Sequence, residues 1–234
     1  MRKVLSKVSK AILQWNLIED GDTVAVGVSG GKDSLLLLLA LKEFQKFNKI
    51  KFNLIGITID PNIKGLDFSG VSDFCKKLEI PYFIEKTDIY DIVFNVRCEK
   101  NPCSLCAKMR RGALCDAAKK HGANKLALGH HQDDMIETFM LSLIYEGRFS
   151  TFSPKSLMTR TGITVIRPLL YLSEYEVKMK TRDLPVVTNP CPADKSSKRA
   201  EIKALLEDLR QKYPNIKENI FKSLTDKSRN QIDI

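Results

Sequence analysis

A chain of 234 residues, 43% hydrophobic and 28% charged, is an ordinary soluble globule in composition, with room for one sizeable domain and a helical appendage. Its net charge of +10 and pI of about 9.3 suit a polyanionic partner, which bears on association rather than on fold. No apolar run reaches the roughly 18 residues that span a bilayer, and Lys7 and Lys10 interrupt any signal-peptide core, so a membrane partner is not expected. The expected location is therefore cytoplasmic, where six cysteines read as thiols, metal ligands or catalysts rather than as disulfides.

Taken in chain order, Val4, Val8, Ala11, Ile12 and Trp15 follow helical spacing, so residues 1–20 read as an amphipathic helix docked on the domain. Asp20-Gly21-Asp22 ends it. Strands are expected at 24–28, 52–59, 82–85, 125–129 and, briefly, 186–188. Helices are expected at 34–46, 67–78, 110–121, 133–145 and 173–181. This alternation predicts an α/β fold, an open parallel sheet with helices on both faces, over residues 21–192. The run from Leu35 to Leu41 is apolar all round, as a helix buried against such a sheet would be. A basic helical tail follows Pro190-Cys191-Pro192, within an extension over 193–234.

The first strand runs into Ser29-Gly30-Gly31-Lys32-Asp33-Ser34. Ligands bind beyond the carboxyl ends of strands in open parallel sheets. Gly30 and Gly31 let backbone N–H groups turn toward an anion, and the next helix adds its positive dipole end. Lys32 can neutralise phosphate oxygens, and Asp33 suits magnesium or a nucleotide group. A Walker A loop is different: it needs wider glycine spacing and a Ser or Thr where Asp33 stands.

Cys103 and Cys106 form a C-x-x-C, which suits a metal, a cluster or a redox pair. A structural zinc usually takes four protein ligands, and the sequence offers no second C-x-x-C or C-x-x-H. Cys191 is the third candidate, and Cys98 is left open as a fourth ligand. Cys75 and Cys115 sit on helical patterns and read as small buried hydrophobes. Arg110 and Arg111 stand ready for phosphate. After the strand at 125–129 comes His130-His131-Gln132-Asp133-Asp134. Here His130 suits phosphate, while Asp133 and Asp134 suit magnesium or a helix cap, which Asp133 alone would serve well.

The hexapeptide SGGKDS resembles the signature of the PP-loop, or N-type ATP pyrophosphatase, family, whose fold is adenine nucleotide alpha hydrolase-like. Together with CSLCAKMRRG, LGHHQDD and the late Pro-Cys, it resembles the tRNA 2-thiocytidine synthetase family (TtcA) and its TtuA-type relatives, in order from Asp22 to about Tyr213. The resemblance implies that ATP with magnesium adenylates the 2-carbonyl oxygen of a pyrimidine in tRNA, and that sulfur then displaces AMP. It assigns Cys103, Cys106 and Cys191 to a 4Fe-4S cluster, residues 29–34 to ATP, and the main chain near Asp60 to the adenosine. It also implies a sulfur donor, either a cysteine desulfurase or sulfide, and leaves a homodimer open. The zinc modules usual at both ends of the TtuA type are absent here, which favours cytidine 32 of the anticodon loop. The alternatives are a TtuA-type 2-thiouridine synthetase or a PP-loop adenylating ligase that uses an amine. A zinc-stabilised RNA-binding module or sulfur carrier that has lost ATP hydrolysis is the non-enzymatic reading.

The basic residues Lys155, Arg160, Arg167, Lys178, Lys180, Arg182, Lys195, Lys198, Arg199 and Lys203 are expected to meet tRNA phosphates. Tyr145, Phe149 and Phe152 offer stacking surfaces, and at least two of them are expected in the core.

Overall fold

The structure is a computed structural model that describes residues 1–97, 102–187, 191 and 198–226. Expectations at Cys98, Thr188 and Lys195 lie outside the described residues.

Strands β1 (Thr23–Gly27), β2 (Asn53–Asp60), β3 (Tyr82–Lys86), β4 (Lys125–Ala127), β5 (Lys155–Met158) and β6 (Ile163–Ile166) form one sheet in the order β3-β2-β1-β4-β6-β5. All neighbours are parallel except β5, which runs antiparallel to β6. Side chains alternate across the sheet. Val24, Val26 and Leu54 face one core with α1 (Arg2–Trp15), α2 (Lys32–Phe47), α3 (Ser69–Lys77) and α7 (Glu174–Lys180). Ala25, Ile55, Ile57 and Ile59 face the other, with α4 (Ile89–Asp91) and α5 (Pro102–Lys120). Helices on both faces explain why the central strands read as unbroken apolar runs. Helices α6 (Gln132–Glu146), α8 (Lys198–Lys212) and α9 (Ile216–Thr225) share a third cluster built on Met135, Ile136, Leu170, Ile202, Leu206 and Phe221.

The expected elements other than the short strand at 186–188 are present with shifted ends, and three differences matter. First, the β5–β6 hairpin was not anticipated. Its strands are four residues each, and the turn between them places Gly162 at φ +76°, a left-handed geometry that glycine adopts without strain. Second, 186–187 is not a strand. Val187 makes one backbone bond, donating its N–H to the Gly30 carbonyl at 2.9 Å. Third, α5 starts at Pro102 rather than near Arg110, so Cys103 and Cys106 lie within its first two turns. Proline at the first helical position costs no bond, because that N–H has no intrahelical partner anyway.

Helix α1 buries Val4, Val8, Ala11 and Ile12, with Trp15 packed at its end. Leu35 to Leu38, Ala40 and Leu41 are fully buried in α2. Cys75 and Cys115 are buried as anticipated, and burial pushes the Cys75 thiol up to about 11. Among the described residues no helix is long and apolar enough to cross a membrane.

Candidate active site at the sheet switch point

From β1 the chain builds outward through β2 and β3, then returns to place β4 on the other side of β1. That reversal opens a crevice at the carboxyl ends of β1 and β4. The loop after β1 holds Ser29, Gly30 and Gly31; the loop after β4 holds Gly129, His130 and His131.

The first loop is braced from inside. Ser34 Oγ donates to the Gly31 carbonyl at 2.8 Å and accepts from the Ser29 N–H at 3.2 Å. Ser34 is therefore a brace, with its hydroxyl already engaged inside the loop. Gly30 has φ +78°, and a methyl there would stand 2.7 Å from Val187 Cγ2. Gly31 is the N-cap of α2 with no side-chain cap, so the helix's first-turn amides and its dipole face the crevice.

The second loop presses against the first. A methyl on Gly129 would lie 2.9 Å from the Asp33 carbonyl carbon and 3.1 Å from its oxygen. Gly129→Ala is accordingly expected to push the two loops apart, at about 1–3 kcal/mol of stability and with most ATP turnover lost. Thermal melting and pyrophosphate release, measured on the same preparation, check this.

Lys32 Nζ sits 3.0 Å from Asp33 Oδ2 and 3.7 Å from Glu174 Oε1, an arrangement it can exchange for phosphate oxygens. Burial raises the Glu174 carboxyl, but Lys203, Lys178 and Lys32 outweigh it and hold the group down at about 2. Asp33 Oδ1 is buried with no hydrogen-bond partner, and His131 Nε2 is 3.6 Å away. A hard oxygen donor left unsatisfied beside a phosphate loop fits magnesium.

His131, not Asp133, caps α6. Its Nδ1 accepts from the Asp134 N–H at 3.4 Å, and its own N–H donates to Asp134 Oδ2 at 2.9 Å. His131 was not singled out from the sequence, although the paired histidines were a signal. Asp133 is turned away from the crevice: it accepts from the Glu174 N–H at 2.7 Å and pairs with Lys217 at 3.0 Å. His130 accepts at Nδ1 from Arg167 Nε at 3.2 Å and leans on Phe152. Burial and the Arg167 charge push His130 down to about 4, so it is neutral near pH 7.

Two cavities meet here. One, of about 470 Å³, is lined by Ser29, Asp33, Arg110, Arg111, His130 and Asp134, among others. The second, of about 350 Å³, is lined by Ser29, Gly31, Arg110, Cys103, Cys106 and Cys191, with Pro61, Ile63, Phe68, Tyr90 and Phe94 as its apolar wall. Asp60 itself stands back: its side chain accepts from the Asn62 N–H at 2.9 Å and its carbonyl from Thr87. The wall after β2 is formed instead by Pro61 and Ile63.

Cys103 and Cys106 stand three residues apart at the start of α5, hence on one face. Burial raises the Cys106 thiol, Arg110 opposes that, and both Cys191 and Cys103 are near enough to raise it further. Among the described residues no three His, Cys, Asp or Glu side chains converge closely enough to hold a single metal ion. Three thiols spaced around one cavity suit a group larger than one ion, with each sulfur on its own iron.

Several basic residues expected at tRNA already have partners within the chain, Arg160 and Lys178 in ion pairs that stay exposed. Arg167 is buried and donates to the Ser153 carbonyl at 2.5 Å. Arg160 pairs with Asp116, Lys178 with Glu174, and Arg199 and Lys203 with carboxylates of α6 and α7. Tyr145 and Phe149 are not in the core, being 41% and 59% exposed. Only Phe152 is partly buried, beneath Arg167.

The fold and the braced loop define an ATP-using α/β protein of the PP-loop class, and a family model described as a PP-loop domain matches residues 2–209. The tRNA-cytidine(32) 2-sulfurtransferase of Pelobacter propionicus is 41% identical over 229 residues, covering 96% of this chain and 85% of that protein. The tRNA-cytidine(32) 2-sulfurtransferase of Geobacter metallireducens is 38% identical over 230 residues, covering 95% of this chain and 89% of that one. Among solved structures, the U34-tRNA thiolase NcsA from Methanococcus maripaludis with its [4Fe-4S] cluster is 27% identical, with a TM-score of 0.76 over 95% of this chain and 76% of that chain. The chain belongs to the tRNA-cytidine(32) 2-sulfurtransferase family.

Proposed function

We propose that this chain is an ATP-dependent tRNA thiolase that replaces the 2-oxygen of cytidine 32 in the anticodon loop with sulfur. The observation that carries this reading is that the ATP loop and the three cysteines open onto adjoining cavities, with Ser29 and Arg110 lining both.

The α2 N-terminus, Gly30, Gly31 and Lys32 would grip the β,γ-phosphates, leaving the α-phosphorus open to the cytidine 2-carbonyl oxygen. That attack forms an O–P bond and releases pyrophosphate. Sulfur then forms the C–S bond as the C–O bond breaks, and the former carbonyl oxygen leaves on AMP. Activation is needed because an unactivated ring carbonyl is a very poor leaving group. Asp33 Oδ1 would hold magnesium, and Arg110 and Arg111 would meet phosphate charge. The apolar wall of Pro61, Ile63 and Phe68 would take the adenosine and exclude water. Cys103, Cys106 and Cys191 would hold a 4Fe-4S cluster, which when bound supplies an open iron for sulfide. We assign the sulfur source to free sulfide or a cysteine desulfurase, and the site of action to the cytosol.

Nucleoside mass spectrometry on tRNA from a strain lacking the gene tests the reading. Loss of 2-thiocytidine, restored by the wild-type gene, is the expected result. Loss of a 2-thiouridine instead would move the substrate to another base, and persistence of every thionucleoside would sink the reading.

A further inference from the structure

The contacts between the C-terminal helices and the crevice are more than packing. Three cations from α8 and α9 face four carboxylates around the starts of α6 and α7. Arg199 Nη1 donates to Asp134 Oδ1 and to Glu137 Oε2, both at 3.1 Å, and Nη2 donates to Thr138 Oγ1 at 3.1 Å. Lys203 sits 3.2 Å from Glu174 and 3.6 Å from Glu137; Lys217 sits 3.0 Å from Asp133. Glu137 is only 2% exposed, so its negative charge needs a partner.

Arg199 stands apart because its partner leads to the ATP loop. While Asp134 Oδ1 is held by Arg199, Oδ2 accepts the His131 N–H. The Asp134 N–H in turn donates to His131 Nδ1. An imidazole that accepts at Nδ1 carries its N–H at Nε2. That nitrogen lies 3.6 Å from the buried, unpartnered Asp33 Oδ1. Without Arg199, Asp134 and Glu137 repel across a partly dry space, and Asp134 is free to rotate and release the cap.

We propose that Arg199 is a positioning residue for the ATP loop: it fixes Asp134 so that the capped His131 keeps its Nε2–H aimed at Asp33. This rests on the ATP-binding part of the function proposed above. It deepens that reading by making the C-terminal helical extension part of the nucleotide site.

The test is calorimetric titration of the full chain with magnesium and α,β-methylene-ATP, which cannot be cleaved at the bond this chemistry breaks. Arg199→Met is expected to weaken binding about tenfold, the low end for loss of an outer-shell partner. Arg199→Lys should fall between, because a lysine cannot span two carboxylates and a hydroxyl in the same fork. Leu206→Ala thins the α8 packing without touching this chain of bonds. It should lower the melting temperature more than Arg199→Met does, with analogue affinity unchanged. Wild-type affinity in Arg199→Met, or a weakening in Leu206→Ala that tracks its loss of melting temperature, would overturn the proposal. If the wild-type chain does not bind the analogue at all, the ATP reading itself falls, and the role of Arg199 with it.

Discussion

Cys106→Ala is expected to abolish tRNA thiolation while binding of MgATP and release of pyrophosphate persist. Cys106 is half-buried, as Cys191 is, and it is the one on whose thiol both Cys103 and Cys191 act. Removing it leaves two sulfurs around the cavity, too few to hold three irons. The loop that grips ATP is braced through Ser29, Ser34 and Gly31, and none of these bonds passes through α5. The two half-reactions should therefore separate, with pyrophosphate released and AMP retained on the tRNA, but no 2-thionucleoside. Cys106→Ser adds a control, since it keeps the size of the side chain but offers a harder oxygen donor in place of a soft thiolate. It should fail as Cys106→Ala does, with iron content reduced in both. Full thiolation by Cys106→Ser would mean that the thiol only packs, and the cysteine assignment would be withdrawn.

The reason the sequence exposed much of this site lies in how the fold places it. Ligand-binding loops follow strands in an open parallel sheet, so SGGKDS and GHHQDD announced themselves by standing immediately after apolar runs. Strand β1 was visible because both its faces are covered, which leaves no polar alternation to confuse the pattern. The β5–β6 hairpin was hidden for the opposite reason. Its strands are short, and β5 carries Lys155 and Ser156 at the sheet edge, so the run of Ile163, Val165 and Ile166 passed unread. The start of α5 was obscured because Pro102 and a C-x-x-C look like a turn, whereas proline is at home on a first helical turn. Charge was the least legible property. Arg167, Arg199 and Lys203 counted toward an RNA-binding surface in the sequence, yet each meets a specific internal acceptor. Net charge carries no information about which cations are already paired; for Arg199 and Lys203 the packing of α8 against α6 and α7 settles that, and for Arg167 its burial beside Ser153 does.

Asp33→Ala is expected to cut pyrophosphate release about 100-fold, the order of loss seen when one preorganised charge-stabilising group is removed, without lowering the melting temperature. The two effects part company because of where the carboxylate stands. Asp33 Oδ2 has Lys32 at 3.0 Å, but Oδ1 is buried and accepts no hydrogen bond. An acceptor in that state costs stability, about 1–3 kcal/mol for a desolvated group without a partner. Strain of this kind persists at sites where function requires it. Deleting the carboxylate removes the cost along with the magnesium donor. It also leaves Lys32 with Glu174 as its acidic neighbour, at 3.7 Å, and a lysine drawn toward Glu174 is drawn off the phosphates. Steady-state pyrophosphate release and a thermal melt of the same preparation read the two consequences separately. A protein that melts well below wild type while retaining its turnover would show the opposite of what the geometry requires, and Asp33 would become a structural residue of the loop.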